Sequence, residues 1–139
     1  MKVGFTGTRE GMIREQKRRL VIMLLSWNPA EVHHGCCVGS DQQANTIARE
    51  ALSIPTVGHP PTCPDWRMSD YGYACNEVRP EKPYVARDHD IVDETDCLLA
   101  APKTDTEELR SGTWLTVRYA VKQGKRVFLI LPSGKMETL

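Results

Sequence analysis

The strongest constraint on the fold is an alternation between short apolar segments and longer segments whose apolar residues recur at helical spacing. The short segments predict β-strands at residues 2–6, 31–34, 56–59, 96–101 and 126–131. The longer segments predict helices between them, at residues 12–27, 41–52, 84–95 and 111–123. Strands that alternate with helices form parallel βαβ units with right-handed crossovers, so we expect an α/β protein.

The segment at residues 96–101 is almost wholly apolar after Asp96, which is typical of a strand with both faces covered. We therefore expect a single Rossmann-like, doubly wound and mostly parallel sheet of about five strands, with helices on both faces. With 139 residues the chain has the length of one domain, so residues 1–139 are interpreted as a single Rossmann-like domain. Residues 60–82 contain four prolines and little periodicity, and they predict a long loop.

The charge balance limits the kinds of partner. The 18 basic and 18 acidic side chains give a formal net charge of zero, whereas proteins that bind nucleic acid normally carry a basic excess. Single-strand binding also depends on stacking aromatics, and the chain has only two Phe residues. These features argue against nucleic acid as a partner, but they leave room for a small anionic ligand.

The longest apolar run, residues 20–25, is far too short to cross a bilayer, and no basic-then-apolar leader opens the chain. The five cysteines are an odd number in a chain with enough core to fold without disulfides, which predicts reduced thiols. We therefore expect a cytoplasmic protein with no membrane partner. No standard zinc spacing is matched by His33, His34, Cys36 and Cys37, so neither a metal site nor a cofactor is predicted.

Ligands of doubly wound sheets bind beyond the carboxyl ends of the strands, near the switch point in strand order. The first candidate segment, residues 6–11, follows the first predicted strand. Gly7 allows a close backbone approach, Thr8 offers a hydroxyl, and Arg9 offers a fork suited to phosphate or carboxylate. The segment matches neither the GxGxxG fingerprint nor a Walker loop. Taken alone, it is equally well explained as a tight turn with a solvated arginine.

The second candidate segment joins the second strand to the second helix. Gly35 and Gly39 bracket a loop that enters the helix near Asp41, where free backbone N–H groups can bind an anion. Ser40 or Asp41 could instead cap that helix. For Asp41 a contact to a ribose hydroxyl and a capping role stay open. His34, at the carboxyl end of the strand, is expected to face the ligand, and the histidine before it to pack in the sheet.

The third candidate segment gives the strongest signal. Ser111, Gly112 and Thr113 present backbone N–H groups and hydroxyls together at a helix start, an arrangement that suits a phosphate. Arg110 adds a positive charge beside them. Arg87, near the start of the helix after the long loop, could reach the same cleft. Its alternative is an ion pair on the helix surface with Asp88, Asp90 or Asp93.

Together these segments resemble the SLOG superfamily, in particular small stand-alone YpsA-like members related to the Lonely Guy and DNA-processing protein A families. The resemblance covers nearly the whole chain and rests on residues 4–9, 33–35 with 38–41, 57–61, 87–92 and 110–120. It implies a Rossmann-like fold that binds nucleotides or nucleotide-derived ligands, and it implies a homo-oligomer. Some relatives cleave the N-glycosidic bond of nucleoside monophosphates, and some bind single-stranded DNA.

The chain departs from the Lonely Guy motif Pro-Gly-Gly-x-Gly-Thr-x-x-Glu, whose Glu works with an upstream Arg. If Gly112 and Thr113 match its Gly-Thr, then Thr116 stands at the Glu position, and Arg87 matches the upstream Arg. The carboxylate that glycosidase chemistry needs beside the sugar would then come from Glu10, Asp41 or Asp88. We therefore expect a binding module for a nucleotide-like, phosphate-containing small molecule, acting as a sensor, carrier or effector. A nucleotide N-glycosidase of the phosphoribohydrolase kind is the alternative.

Overall fold

The computed structural model describes all 139 residues, which form one seven-stranded sheet covered by helices. The strands are β1 (Lys2–Gly7), β2 (Glu31–His34), β3 (Thr56–Gly58), β4 (Glu77–Val78), β5 (Cys97–Ala101), β6 (Arg126–Ile130) and β7 (Met136–Thr138). The helices are α1 (Arg14–Trp27), α2 (Ser40–Asn45), α3 (Tyr71–Ala74), α4 (Tyr84–Asp93) and α5 (Gly112–Lys122). A π-helical segment, Thr46–Ala51, continues α2. The predicted alternation of strands and helices is confirmed.

The strand order β4-β3-β2-β1-β5-β6-β7 makes the sheet doubly wound. The chain builds outward from β1 in one direction and then returns to start β5 on the other side of β1. All neighbouring strands are parallel except β6 and β7. The central strands β1 and β5 pair over five residues, from Val3 with Cys97 to Gly7 with Ala101. The switch point therefore lies at the carboxyl ends of β1 and β5.

Alternate residues of β5 supply two hydrophobic cores, one on each face of the sheet. Leu99 and Ala101 belong to the core beneath α1 and α2, and Leu98 and Ala100 to the core beneath α4 and α5. Because both faces are covered, every residue of β5 is buried, as its apolar sequence predicts. The helices contribute Leu20, Leu24, Ala44 and Ala48 to the first core and Ile91, Val92, Trp114 and Val117 to the second.

The sheet has seven strands where about five are expected, because its two edge strands are too short to show a period. β4 is two residues long and pairs with β3 from within the segment predicted as a loop. β7 turns back antiparallel to β6. Residues 60–82 are therefore not one uninterrupted loop, since they contain both β4 and the short helix α3. No helix combines the length and the apolarity that a membrane span requires.

Candidate functional site

A cleft opens where the carboxyl ends of β1 and β5 meet, at the switch point of the sheet. Its cavity of about 530 Å³ is within the usual size of small-molecule sites. The loops after β1 and β2, the first turns of α4 and the loop before α5 all line it. The predicted site residues along this cleft are Gly7, Thr8, Arg9, Gly35, Asp41, Arg87, Arg110, Ser111, Gly112 and Thr113. Tertiary structure thus brings the three candidate segments together with Arg87.

The start of α5 presents unpaired backbone donors to the cleft. Ser111 caps the helix, and its Oγ accepts a hydrogen bond from the Trp114 amide at 3.3 Å. The N–H groups of Gly112 and Thr113 donate to no group of the protein. No neighbouring segment comes within 4 Å of the position that a Cβ at Gly112 would take. An anion bound here would meet two N–H groups and the positive end of the helix dipole.

The loop that carries Arg110 is held in place by Arg118 of α5. The Arg118 guanidinium pairs with the Glu107 carboxylate at 2.7 Å and donates to the Leu109 carbonyl oxygen at 3.0 Å. Both contacts anchor residues just before Arg110 to the body of the helix. The loop therefore keeps Arg110 beside the free N–H groups of α5.

The positively charged side chains that line the cleft differ in whether a carboxylate already pairs with them. Lys103 pairs with Glu10 at 2.9 Å, and Arg87 is also paired. Arg9 and Arg110 form no salt bridge. A guanidinium that has no carboxylate partner is free to form a bidentate pair with a phosphate or carboxylate. An anionic ligand in the cleft would therefore be able to form ion pairs with both Arg9 and Arg110.

Gly39 and Ser40, two of the predicted site residues, lie behind the loop after β1 and do not line the cleft. The Ser40 hydroxyl donates to the Thr8 carbonyl oxygen at 2.6 Å, and the Ser40 amide donates to the same oxygen at 3.1 Å. Gly39 has a φ of +84°, and a Cβ there would overlap the Arg9 carbonyl. These two residues therefore fix the backbone that presents Thr8 and Arg9, instead of touching a ligand themselves.

Arg87 is buried at the base of the cleft, with 6% of its surface exposed. Its Nε donates to the Asp88 carboxylate at 2.7 Å, and its Nη1 donates to the carbonyl oxygens of Gly35 and His59. Burial opposes the charged form, but the nearby carboxylates of Asp88 and Asp41 outweigh it and raise the pKa of Arg87. Arg87 thus lines the cleft, and its ion pair with Asp88 lies inside the cleft and not on the helix surface.

Asp41, which is buried, and Asp88, which is partly buried, place two carboxylates beside Arg87. Burial raises the pKa of both, while the Arg87 charge acts in the opposite direction. The Asp41 carboxylate accepts the Cys37 amide at 3.2 Å and does not cap α2, whose N-cap position is held by Gly39. The predictions that Asp41 or Ser40 caps the helix are therefore wrong. Gly39 occupies the N-cap position, so Ser40 and Asp41 are already the first two residues of α2.

The structure places His34 outside the cleft, contrary to its expected ligand-facing position. The ring is fully buried beneath α2, where its Nε2 lies 2.8 Å from Asn45 Oδ1. Its Nδ1 accepts the Cys36 amide at 3.1 Å. Successive strand residues point to opposite faces, so His33 points away from α2 and packs within the sheet as expected, 2.8 Å from His59. His34 is therefore no longer a ligand-binding candidate.

Aromatic side chains at the cleft escape detection in the sequence. The Arg9 guanidinium lies 5.0 Å from the ring centre of Tyr84, which lines the cleft, and 5.8 Å from that of Trp66. Trp66 has a φ of +64°, which is rare for so bulky a residue, and 56% of its surface is exposed. The left-handed backbone of Trp66 is the only local feature that marks these aromatic residues, and the amino-acid sequence does not reveal a backbone angle.

Asp88 is one of the three carboxylates considered as substitutes for the Glu of the Lonely Guy motif. It belongs to α4 and lies near Thr116 of α5, whose hydroxyl partly offsets the rise in the Asp88 pKa that burial causes. Thr116 is itself buried and donates to the Gly112 carbonyl oxygen at 2.9 Å. A carboxylate from α4 therefore lies near Thr116, the residue that the sequence comparison would align with the motif Glu.

The fold and the cleft define a Rossmann-like α/β protein with a pocket at its switch point, lined by Arg9, Arg110 and the start of α5. No family model and no curated protein sequence matches the chain. Solved structures with the same fold include the molybdenum cofactor binding protein of Rippkaea orientalis, at 22% identity and a TM-score of 0.69. That match covers 92% of this chain and 74% of the other protein.

Two further structures are similar at the same level. The molybdenum cofactor carrier protein of Chlamydomonas reinhardtii has 21% identity and a TM-score of 0.64, over 92% of this chain and 74% of the carrier. The DNA processing protein A of Helicobacter pylori, described with a single-stranded DNA binding mode, has 23% identity and a TM-score of 0.67. Here the match covers 93% of this chain but only 64% of the other. These likenesses show the Rossmann-like fold and confirm the fold that the sequence resemblance implies.

Proposed function

We propose that the chain binds a nucleotide or another phosphate-containing small molecule of similar size in the cleft. The carrying observation is the pair of free N–H groups at Gly112 and Thr113, which open into the cavity beside the unpaired guanidinium of Arg110. A helix start with free donors and a nearby unpaired arginine is the arrangement that binds phosphate groups in proteins. The phosphate would sit at the start of α5, and the remainder of the ligand would extend toward Arg9.

A binding role as carrier, sensor or effector agrees with the names of two similar structures, a binding protein and a carrier protein for the molybdenum cofactor. Both bind a small molecule, and each shares less than a quarter of its residues with this chain. The molybdenum cofactor therefore belongs among the ligands to test, beside nucleoside monophosphates and diphosphates.

The test compares two substitutions at Gly112. Gly112→Pro removes the N–H, and proline is well tolerated at the first position of a helix. The extended Ser111, with φ −78° and ψ 130°, already has a conformation that suits the residue before proline. Gly112→Ala keeps the N–H and meets no neighbouring segment within 4 Å, so it is the matched control.

Isothermal calorimetry would follow a thermal-shift screen of nucleotides, the molybdenum cofactor and inorganic phosphate. We expect Gly112→Ala to bind like the wild type, and Gly112→Pro to bind about tenfold more weakly, because a hydrogen bond to a charged group contributes roughly 1.5–3 kcal/mol. Equal affinities of the two variants would show that the phosphate binds elsewhere.

A second candidate function is nucleotide N-glycosidase activity, which the two carboxylates of Asp41 and Asp88 favour. Both carboxylates line the cleft, and burial raises the pKa of each. A carboxyl with a raised pKa is suited to general acid–base work on a glycosidic bond. Chromatography of nucleoside monophosphates after incubation with the protein would detect free base. Absence of base at high protein concentration would leave binding as the function.

Single-stranded DNA is the least supported ligand, although one similar protein is described as binding it. The net charge of zero and the pairing of Lys103 and Arg87 leave no continuous basic groove along the cleft. A filter-binding assay at low salt is expected to show no retention.

From the resemblance we further propose a homo-oligomer in a reducing, cytoplasmic setting. α1 exposes Ile22 and Leu25, which supports contact through a helix face. All five cysteines are free thiols, which supports the reducing compartment. Light scattering would give the mass in solution, and Leu25→Lys is expected to lower it if α1 forms the contact.

A further inference from the structure

A second cluster of reactive side chains lies between α2 and the end of α3, and none of its members lines the cleft. It contains Cys36, Cys75 and His34, whose ligand atoms all lie within 4.8 Å of one another. Cys36 and His34 are wholly buried, and 5% of the Cys75 surface is exposed. The proposed binding of a phosphate compound uses none of these three side chains.

The backbone is shaped to bring the two sulfur atoms together. Cys36 has a φ of +58°, a conformation that few residues other than glycine adopt. A Cβ on Gly58 would lie 2.5 Å from the Cys36 sulfur and 2.9 Å from the Cys75 sulfur. A larger residue at position 58 would therefore displace the sulfur atoms of both Cys36 and Cys75. Backbone strain of this kind persists where the surrounding structure requires it, and here it orients Cys36 toward Cys75.

The hydrogen bonds of His34 decide between a metal site and a thiol pair. The Cys36 amide donates to His34 Nδ1, so Nδ1 carries no proton and the neutral ring carries its proton on Nε2. The Nε2–H faces Asn45 Oδ1 at 2.8 Å and the Cys75 sulfur at 3.6 Å. A metal-bound histidine normally donates from its second nitrogen, and here that nitrogen is an acceptor. The ring is thus arranged to donate toward the sulfur, not to ligate a cation.

The two sulfurs differ in their readiness to ionise. Among the groups of the cluster, the His34 Nε2–H lies 3.6 Å from the Cys75 sulfur, so this donor favours negative charge on Cys75. The pKa values change in the same direction: contact with Cys36 and with His34 lowers the pKa of Cys75, and contact with Cys75 together with burial raises the pKa of Cys36. A nucleophilic thiolate beside a protonated thiol is the combination needed to react with an oxidant and then to close a disulfide.

We propose that Cys75 is a peroxide-reactive thiolate and that Cys36 is its resolving partner, so that hydroperoxides convert the pair to a reversible disulfide. The Cys75 sulfur attacks the peroxide, an S–O bond forms as the O–O bond breaks, and the leaving oxygen takes up a proton as water or alcohol. Cys36 then attacks the Cys75 sulfenic acid, the S–S bond forms, and water leaves with the Cys36 proton. Two electrons pass from the thiols to the peroxide.

A peroxide would reach the Cys75 sulfur through local opening of the segment that covers it. Cys75 directly follows α3, a helix of four residues, none of which is buried. β4, on the other side of Cys75, contributes only two residues to the edge of the sheet. Short surface elements with so few buried contacts open locally at low free-energy cost. The segment is held to the sheet side mainly by hydrogen bonds from Asn45 and Arg49 to its backbone, and we expect their local opening to admit a small peroxide while the core of the sheet stays folded.

Mass spectrometry of the folded full-length protein tests the proposal directly. Hydrogen peroxide is added to the native protein, remaining thiols are alkylated, and non-reduced peptides are mapped. We expect a mass loss of two hydrogen atoms per chain, one peptide that links Cys36 to Cys75, and full reversal by dithiothreitol. A link that involves Cys37 or Cys63 instead, or no link while Cys63 is oxidised, would overturn the assignment.

Variants separate the two roles. Cys75→Ser is expected to slow thiol loss in this pair about tenfold or more, because the remaining thiol stays protonated. Cys36→Ser should leave Cys75 able to form a sulfenic acid that dimedone traps, with no disulfide. Cys63→Ser, at a half-exposed thiol outside the cluster, should form the disulfide at the wild-type rate. Circular dichroism checks that each variant is folded, and the wild-type peptide map decides the question if one is not.

Zinc chloride tests whether the same three side chains bind a metal ion instead of forming a disulfide. The structure predicts that one equivalent of Zn²⁺ neither binds tightly nor protects the two thiols from peroxide. Stoichiometric zinc binding that is lost in Cys75→Ser and that blocks the disulfide would make this a metal site and overturn the proposal.

Discussion

The guanidinium of Arg87 and the carboxylate of Asp88 are neighbours in the chain and form an ion pair of 2.7 Å at the base of the cleft. Adjacent residues of a helix usually diverge, but Arg87 turns inward to the carbonyl of His59, 3.1 Å away. The Asp88 carboxylate of this pair also lies near Thr116 of α5. This geometry gives the first prediction, on catalysis.

If the protein releases base from nucleoside monophosphates, Asp88→Asn should lower that rate by about a hundredfold, the usual contribution of general acid–base catalysis. The substitution keeps the shape of the side chain, so nucleotide affinity should change little. Asp90→Asn is the matched control, since Asp90 pairs with Lys82 away from the cleft. Equal loss of activity in both variants would contradict a special role for Asp88.

The second prediction concerns the unpaired arginine near the aromatic rings. Arg9→Gln should weaken binding of a nucleoside monophosphate by about tenfold, because one charge-assisted contact is lost. The effect should shrink at high salt, which screens exposed charges. Arg14→Gln, an exposed arginine on α1 without a salt bridge, should bind normally. Calorimetry at two salt concentrations measures both variants, and an unchanged Arg9→Gln affinity would place the anion elsewhere.

The third prediction tests the support of the loop after β1. Gly39→Ala should lower the free energy of unfolding by about 1–3 kcal/mol, because an L residue is strained at φ +84° and its Cβ would overlap the Arg9 carbonyl. Gly72→Ala is the control, since α3 is helical and nothing lies within 4 Å of the position that a Cβ at Gly72 would take. Urea unfolding provides the comparison, and a Gly39→Ala variant as stable as Gly72→Ala would refute the close approach.

The fourth prediction is a loss of stability in mild acid from His33 and His59. Burial, reinforced by neighbouring positive groups, lowers the pKa of His59 to about 3, and burial also lowers that of His33. In the unfolded chain both histidines become protonated near pH 6.5, whereas in the folded protein they do so only at lower pH. As the pH falls, protonation therefore stabilises the unfolded state first. The stabilisation is complete above pH 6.5 and declines from there toward pH 3.

Each histidine should contribute up to about 1.4 kcal/mol per pH unit to this decline. Urea midpoints from pH 7 to pH 5 measure it. His59→Gln keeps a polar group beside His33 and removes one titration, so its slope should be shallower than that of the wild type. Identical slopes would mean that His59 is already protonated in the folded protein.

Much of the fold follows from local pattern. The apolar run at residues 97–101 predicts a strand buried on both faces, and β5 has every residue buried between two cores. Ser111 before Gly112 predicts a helix start, and Ser111 caps α5 through the Trp114 amide. Such features depend on residues within one or two turns of each other, so the order of residues is enough to reveal them.

The edge strands and the positions of the histidines depend on distant partners. β4 is a strand only because β3 lies beside it, and two residues cannot show a period of their own. His34 ends its strand at the expected edge of the sheet, but α2 covers it through Asn45. A sequence pattern gives the strand and its end, but not which face a neighbouring helix will cover.

By itself, the sequence determined the α/β alternation, the apolar centre of the sheet and the segments that end at the cleft, because each is encoded by neighbours along the chain. Only the tertiary structure decided that Asp88 stands beside Thr116, that Arg87 is buried with it, and that Cys36 meets Cys75. These pairings depend on how helices from different parts of the chain pack on one sheet, and side-chain burial and hydrogen bonding fix them only once that packing exists.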